Sequence, residues 1–189
     1  MEDPLIEGGR IRKLWIGETD QYFAHLLRLD DDSRRNRFGG VVPDEIIRAC
    51  VEQIDPLTTI LHGFFVDGML RGVADVRLIG GPRPGAAEAA FSVEMPWQSH
   101  GVGSALLERC LLTARNRGIK QLHMMCLARN RRMQQLAKKY AAELSVDFGS
   151  VVGEVETPFP TPLSMWREFI ADGHTLANAM LDAQMRLLR

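Results

Sequence analysis

"EMPWQSHGVGSALLERC", Glu94 to Cys110, decides how the rest of the chain reads. An extended run ends at Met95-Pro96, a short polar turn follows, and from Val102 an apolar stripe starts at helical spacing: Val102, Leu106, Cys110 and Ala114, with Leu107 and Leu111 beside it. A strand that turns within a few residues into a helix aims several unpaired backbone N–H groups, and the positive end of the helix dipole, at one point in space. Such a point binds anions. Gly101 and Gly103 carry no Cβ to shield those amides, so a phosphate or pyrophosphate can approach the main chain.

Upstream, "AEAAFSVEM" (87–95) reads as a strand, preceded by the loop "GGPRPG" (80–85). "TTILHGFFVDGMLRGVADVRLI" (58–79) reads as a hairpin turning at Asp67-Gly68. Further back, "RIRKLWI" (10–16) predicts a strand, and Thr19 caps a helix carrying Phe23, Leu26 and Leu27. The charged "LDDDSRRNRFGG" (29–40) breaks that helix. Pro43 then opens a second one with Ile46, Ile47, Cys50, Val51 and Ile54 inward. Downstream, Gly118 stops the helix of the opening stretch, and "IKQLHMMCLA" (119–128) is a buried strand. Asn130 caps a helix with Met133, Leu136, Ala137, Tyr140, Ala141 and Leu144 inward and Arg131, Arg132, Gln134, Gln135, Lys138 and Lys139 outward. "LSVDFGSVVGEVE" (144–156) makes two short strands around Gly149-Ser150. Thr161-Pro162 starts a terminal helix whose stripe is Leu163, Trp166, Ile170, Ala177, Leu181 and Leu188, with Gly173 as its weak point.

These elements surround one mostly antiparallel, twisted sheet, an α+β (mixed α/β) fold over residues 1–160, with residues 161–189 a helix packed on the same domain or on the second subunit of a homodimer. The 189 residues, 46% hydrophobic and 25% charged with a formal net charge of -1, suit a globular domain and exclude a global attraction to nucleic acid or an anionic membrane. Cys50, Cys110 and Cys126, odd in number and far apart in apolar stretches, predict buried free thiols in a reducing compartment. With no targeting segment or membrane-spanning run, the chain reads as cytoplasmic.

Spacing separates three kinds of glycine-rich phosphate loop. The P-loop pattern fails for want of a Gly-Lys-Ser/Thr. The dinucleotide fingerprint needs a small residue where Leu106 stands, and it normally opens its domain. What remains is Gln98-Ser99-His100-Gly101-Val102-Gly103, a Gln/Arg-x-x-Gly-x-Gly/Ala pattern between strand and helix. It resembles the coenzyme A pyrophosphate loop of the GNAT superfamily of N-acetyltransferases. The resemblance runs from about Arg10 to Val155. It takes in "AEAAFSVEMPWQSHGVGSALL" as strand and helix, and "GIKQLHMMCLARNRRMQQLAKKY" as the next strand and helix, with Asn130 at the family's Asn position. "DDDSRRNRF" is similar to the acceptor side of bacterial protein lysine acetyltransferase domains, so residues 28–40 are expected to border the acceptor.

The resemblance implies attack of a primary amine, a protein lysine or a small-molecule amine, on the thioester of acetyl-CoA. An ammonium with a pKa of about 10.4 is neutral at pH 7 only about once in a few thousand, a deficit of roughly 4–5 kcal/mol that a positioned base offsets. Glu88 and Glu94 share strand parity. Counted back from Trp97-Gln98, Glu88 matches the catalytic Glu of the protein-acetylating members. Glu94 stands beside the phosphate loop, where its charge would repel the cofactor, and reads as a solvated carboxylate. Val93 and Met95 are expected to offer main-chain groups to the pantetheine arm. Gln98, Ser99, His100, Gly101, Val102, Gly103 and Ser104 are expected to hold the pyrophosphate. Asn130 either bonds the arm or simply caps its helix, and Arg129, Arg131 and Arg132 either meet phosphates or form a solvated face. Many members protonate the leaving thiolate with a Tyr at the position of Ala137. Tyr140, a turn further on, reads as a core residue, so no general acid is assigned and a bound water serves.

The five histidines have no metal-ligand spacing on one helix, and Ser104 is not in a Gly-x-Ser-x-Gly elbow, so neither a metal nor a hydrolase nucleophile is expected. Ala137 keeps open a catalytically weak acyl-CoA-binding sensor, and a plain structural domain is the third reading.

Overall fold

Asp67 and Gly68 both take positive φ, 49° and 75°, the pairing a two-residue turn needs to match strand twist. That turn joins β2 (Thr59–Val66) to β3 (Met69–Ile79) in the computed structural model, which describes residues 8–80, 85–140, 143–147 and 150–173, with 179 and 182. Before the hairpin come β1 (Arg10–Lys13), α1 (Thr19–Arg28), α2 (Asp31–Phe38) and α3 (Asp44–Glu52). After it come β4 (Ala86–Val93), α4 (Val102–Asn116), β5 (Gln121–Leu127), α5 (Arg131–Lys139), β6 (Glu143–Asp147), β7 (Ser150–Glu156) and α6 (Pro162–Gly173). The strands form one seven-stranded sheet in the order β1-β2-β3-β4-β5-β7-β6, antiparallel except for the β4–β5 pair, as the α+β reading expects.

Strand alternation divides the core. On one face Phe64, Ala74, Val76, Ala87, Ala89, Leu122 and Met124 meet Val102, Leu106, Leu107, Cys110 and Ala114 of α4. On the other, Leu61, Phe65, Leu70 and Val73 meet Tyr22 and Leu26 of α1 and Ile47 and Val51 of α3. Glu88, Ala90 and Ser92 therefore point to the α1 and α2 side.

The charge run expected to break the first helix is itself helix α2. Asp30 caps it, accepting from Ser33 N at 2.9 Å and Ser33 Oγ at 2.7 Å, acidic side chains fill the first turn, and Gly39 ends it at φ 76°. No residue of α2 is buried, so it has no apolar stripe to betray it. β1 stops at Lys13 because residues 16–18 form a 3₁₀ turn, in which Glu18 accepts from Trp15 N at 3.1 Å. Glu18, not Thr19, precedes α1, and Pro43 is the cap of α3, one residue before its first helical position. Cys110 and Cys126 are buried free thiols, but Cys50 is only half-buried.

Thr161 caps α6 as expected, in a reciprocal pair with Ser164: Thr161 Oγ1 accepts from Ser164 N at 3.2 Å and Ser164 Oγ from Thr161 N at 2.9 Å. The helix meets α4 through polar groups. Asn116 Nδ2 donates to Ser164 O and Glu168 Oε2, and Thr113 Oγ1 to Glu168 Oε1. Of the expected stripe, Leu163, Trp166 and Ile170 are 64%, 59% and 44% exposed on the single chain. Ala177, Leu181 and Leu188 lie outside the described residues, as do parts of "GGPRPG" and the turn at Gly149. Among the described residues no helix is long and apolar enough to cross a membrane.

Candidate active site

β4 and β5 pair at only three positions, Ala86–Gln121, Ala87–Leu122 and Glu88–His123. Beyond Glu88, β4 stays with β3 as far as Val93, and β5 stays with β7 to Leu127. The two strands part, and the main-chain groups on their facing edges, residues 89–93 and 124–127, open onto a wedge. Glu88 and His123 stand at its closed end. At its mouth lie the 94–101 turn and the start of α5.

The turn is built for exposed amides. Trp97 anchors it, edge-on to Phe64 with ring centroids 5.8 Å apart. Ser99 and Gly101 adopt φ of 66° and 86°. The first helical bond runs from Ala105 N to Gly101 O at 3.1 Å, so the amides of Val102, Gly103 and Ser104 precede any intrahelical acceptor. The two glycines differ. A Cβ on Gly101 would meet no atom within 4 Å, and its left-handed backbone is what asks for glycine; a Cβ on Gly103 would meet Leu136 Cδ2 at an ordinary 3.6 Å. Among the described residues nothing crowds either position. Ser99 and His100 are exposed, whereas Val102 is buried and offers only its amide.

Gln98 reaches further than a loop residue. Its Nε2 donates to Val93 O at 2.8 Å and to Ser33 Oγ of α2 at 2.9 Å, and its Oε1 accepts from Arg132 of α5. Met95 is exposed, with its carbonyl accepting from Gln98 N at 3.2 Å. Asn130 caps α5, Oδ1 accepting from Met133 N at 3.1 Å, and Arg129, Arg131 and Arg132 are exposed beside it. Glu88 is exposed on the α2 side, in register with Arg77 of β3 and His123 of β5.

Glu94 corrects the expectation of a solvated carboxylate. It is 5% exposed; its Oε1 accepts from His25 Nδ1 at 3.1 Å and Arg28 Nε at 2.9 Å, and its Oε2 from Arg71 at 2.8 Å. Burial pushes its pKa up, but the hydrogen bonds from His25 and Arg71 and the charge of Arg28 outweigh that and hold it below the usual carboxylate range. Burial also depresses the pKa of His25, against the pull of Glu94. An ionised Glu94 only accepts, so the neutral imidazole carries its proton on Nδ1, and Nε2 accepts from Ser92 Oγ at 3.0 Å. Beside this group, Asp75 is 1% exposed and holds Arg37 at 2.9 Å, Arg77 at 3.1 Å and the Tyr22 hydroxyl at 3.2 Å. Desolvation pushes Tyr22 up to about 12. Apart from Asp75 with Arg77, two residues apart on β3, none of these pairings has a local sequence signal; parity alone places Ser92 with Glu88.

Tyr140 turns to α4, donating to Glu108 Oε1 at 2.6 Å and Ser104 O at 3.4 Å; burial and then Glu108 push it up to about 12. Ala137 is buried on the side of α5 that faces Gly153 of β7. A cavity of about 290 Å³ lined by Lys13, Trp15, Ile60, Arg117 and Asp172 includes no residue of the wedge.

The model of the acetyltransferase (GNAT) family matches residues 17–141. Among solved structures, the GNAT domain of S. lividans PAT superposes with a TM-score of 0.68 at 21% identity, covering 78% of this chain and 90% of that one. A GNAT-family acetyltransferase from Streptococcus pneumoniae gives 0.64 at 16% identity, over 79% of this chain and 99% of that one. The PaiA N-acetyltransferase from Thermoplasma acidophilum, solved with coenzyme A, gives 0.61 at 17% identity, over 78% and 98%. At these identities the likeness is one of fold.

Proposed function

This chain belongs to the acetyltransferase (GNAT) family of acyl-CoA-dependent acyltransferases, and from that premise we propose that it transfers an acetyl group from acetyl-CoA to a primary amine by direct attack, with Glu88 as the base. The observation that carries the reading is the parting of β4 from β5 immediately after Glu88, with the amide-rich turn at the other end of the same wedge. An extended pantetheine arm adds to the free β4 edge near Val93 and Met95 as a strand would, and brings the diphosphate to the amides of residues 99–104. Asn130 and the exposed arginines beside it flank that mouth.

The exposed Glu88 carboxylate faces the α2 side, from which the acceptor, a protein lysine or a small-molecule amine, approaches past residues 28–40. Taking a proton from the ammonium, directly or through water, is worth about 10²–10⁴-fold in rate. No tyrosine stands at 137 to protonate the departing sulfur. That absence, with Tyr140 committed to Glu108, favours one second reading, an acyl-CoA sensor with weak chemistry.

Acetyl-CoA, a thiol reagent and a panel of amines test both. Amine-dependent release of CoA is expected, and Glu88→Gln lowers it most at pH 7 and progressively less as rising pH supplies free amine. An unchanged profile removes Glu88 from the role. Binding without amine-dependent release selects the sensor, and a calorimetric titration with CoA that registers no heat overturns both.

A further inference from the structure

In aminolysis of a thioester by an ammonium the nitrogen gives up two protons. The first leaves before attack and is the business of Glu88; the second leaves the nitrogen after the C–N bond has formed, while the sulfur needs one to depart as a thiol. On the same face of β4 as Glu88, and within the stretch that β5 leaves unpaired, Ser92 begins a buried line: Ser92 Oγ to His25 Nε2 at 3.0 Å, His25 Nδ1 to Glu94 Oε1 at 3.1 Å, with the three residues 6%, 0% and 5% exposed. A hydroxyl, the far nitrogen of an imidazole and a fixed carboxylate, in that order, form an arrangement in which the hydroxyl gives up and regains a proton. Glu94 is anchored by Arg28 from α1 and Arg71 from β3, and the ring is closed off from water.

Resting on the acetyl transfer proposed above, we infer that Ser92 is a further catalytic residue that carries the second proton from amine to sulfur, with His25 and Glu94 as the groups that position and back it. The amine lone pair forms the C–N bond and the carbonyl π pair moves to oxygen. The resulting N–H⁺ gives its proton to Ser92 Oγ as the hydroxyl proton passes to His25 Nε2, and Glu94 steadies the imidazolium. The oxyanion re-forms the carbonyl and the C–S pair leaves with sulfur. His25 returns its proton to Ser92 Oγ, which protonates the thiolate. The sum is RNH₂ plus acetyl-CoA giving the acetamide plus CoASH, with Ser92 and His25 restored. This supplies the acid that Ala137 and Tyr140 do not.

The test uses the full chain with acetyl-CoA and two acceptors: Nα-acetyl-lysine methyl ester, a cation at pH 7, and hydroxylamine, which is uncharged there. Ser92→Ala is expected to lower kcat about a hundredfold with both acceptors while KM for acetyl-CoA and CoA affinity stay as in the wild type and Tm falls by a few degrees as His25 Nε2 loses its donor. Ser92→Thr, which keeps the hydroxyl, restores most of the loss. Glu88→Gln slows the lysine ester far more than hydroxylamine. Nitrogen-15 spectra of the wild type show His25 protonated at Nδ1, with the Nε2 resonance shifting in Ser92→Ala. Wild-type kcat in Ser92→Ala, or a His25 protonated at Nε2, overturns the relay and leaves the acetyl transfer standing. A wild type that transfers acetyl to neither amine overturns the transfer, and the relay falls with it.

Discussion

Gly101 and Gly103 sit two residues apart in one phosphate-loop pattern, yet their surroundings predict opposite responses to alanine. At Gly101 the backbone is left-handed, φ 86°, and a Cβ meets nothing within 4 Å. The penalty is therefore conformational, roughly 1–2 kcal/mol for an L-residue in that region, partly offset by about 0.4–1 kcal/mol from a stiffer unfolded chain. A net loss of about 1 kcal/mol lowers Tm by about 2–4 °C in a domain of this size. Gly103 lies in the first turn of α4, and its added Cβ makes an ordinary 3.6 Å contact with Leu136. Relief of glycine's helical penalty gives about 0.5–1 kcal/mol, a rise of about 1–4 °C. Binding separates a third variant. In Gly103→Val one γ-methyl is forced away from Leu136 and over the free amides, so CoA affinity falls at least tenfold while Tm moves little. Thermal unfolding of the ligand-free protein and calorimetry with CoA measure both quantities. A wild-type Tm for Gly101→Ala refutes the conformational reasoning, and wild-type affinity in Gly103→Val refutes the assignment of these amides to the diphosphate.

Tyr140→Phe removes a phenol bonded to the exposed Glu108, so it costs at most about 1 kcal/mol and leaves turnover unchanged; a tenfold loss of kcat would make that phenol the acid after all. Asp75→Ala leaves Arg37, whose side chain is only 12% exposed, without its counter-charge and the Tyr22 hydroxyl proton without its acceptor, although Arg37 still donates to the Tyr22 oxygen at 3.0 Å, so urea unfolding is expected to show a loss of about 3–5 kcal/mol, and a loss under 1 kcal/mol would mean the group is screened by water. Burial, helped by the charges of Arg109, Lys13 and Arg117, holds the pKa of His62 well below its ordinary value. The unfolded chain then binds a proton below about pH 6.5 that the folded chain refuses, so this contribution is complete above that pH and is lost below it, at up to about 1.4 kcal/mol per pH unit. His62→Gln flattens the fall in urea stability between pH 6.5 and 5, and an unaltered slope refutes the assignment. Glu94 and Glu168 are also shifted downward, by hydrogen bonds and nearby positive charge that outweigh their burial: their share is complete above about pH 4.5 and disappears as pH drops through their lowered folded values.

Elements governed by local rules were legible in the sequence. The Asp67-Gly68 turn announces its hairpin, and the stripe from Val102 to Ala114 announces α4 because nearly every member of it is fully buried. Helix α2 escaped a reading based on apolar period because it buries nothing, although Asp30, Ser33 and Gly39 spell both of its ends in capping chemistry. Glu94 shows a different limit. Its parity with Glu88 is visible, but the partners that make it a buried anion come from 69, 66 and 23 residues away, and no window of sequence joins them. Tyr140 was read as a core residue from its place on the inward stripe, whereas it is half-buried and its tie to Glu108 needed two helices to be set side by side.

Leaving strand edges open in the middle of a sheet carries a cost, because unpaired main-chain groups out of water lose free energy and an open edge invites foreign strands. The wedge limits that cost without closing. Gln98 satisfies the Val93 carbonyl from its own side chain, and helices on both faces deny a flat sheet access to the edge. The glutamine of the loop pattern thus stands in at the carbonyl that the pantetheine arm takes over in the proposed complex. The same side chain also bonds Ser33 on α2 and Arg132 on α5, which links the Val93 carbonyl to the proposed acceptor side through one residue, and a Gln98→Ala variant that binds CoA as the wild type does would break that link.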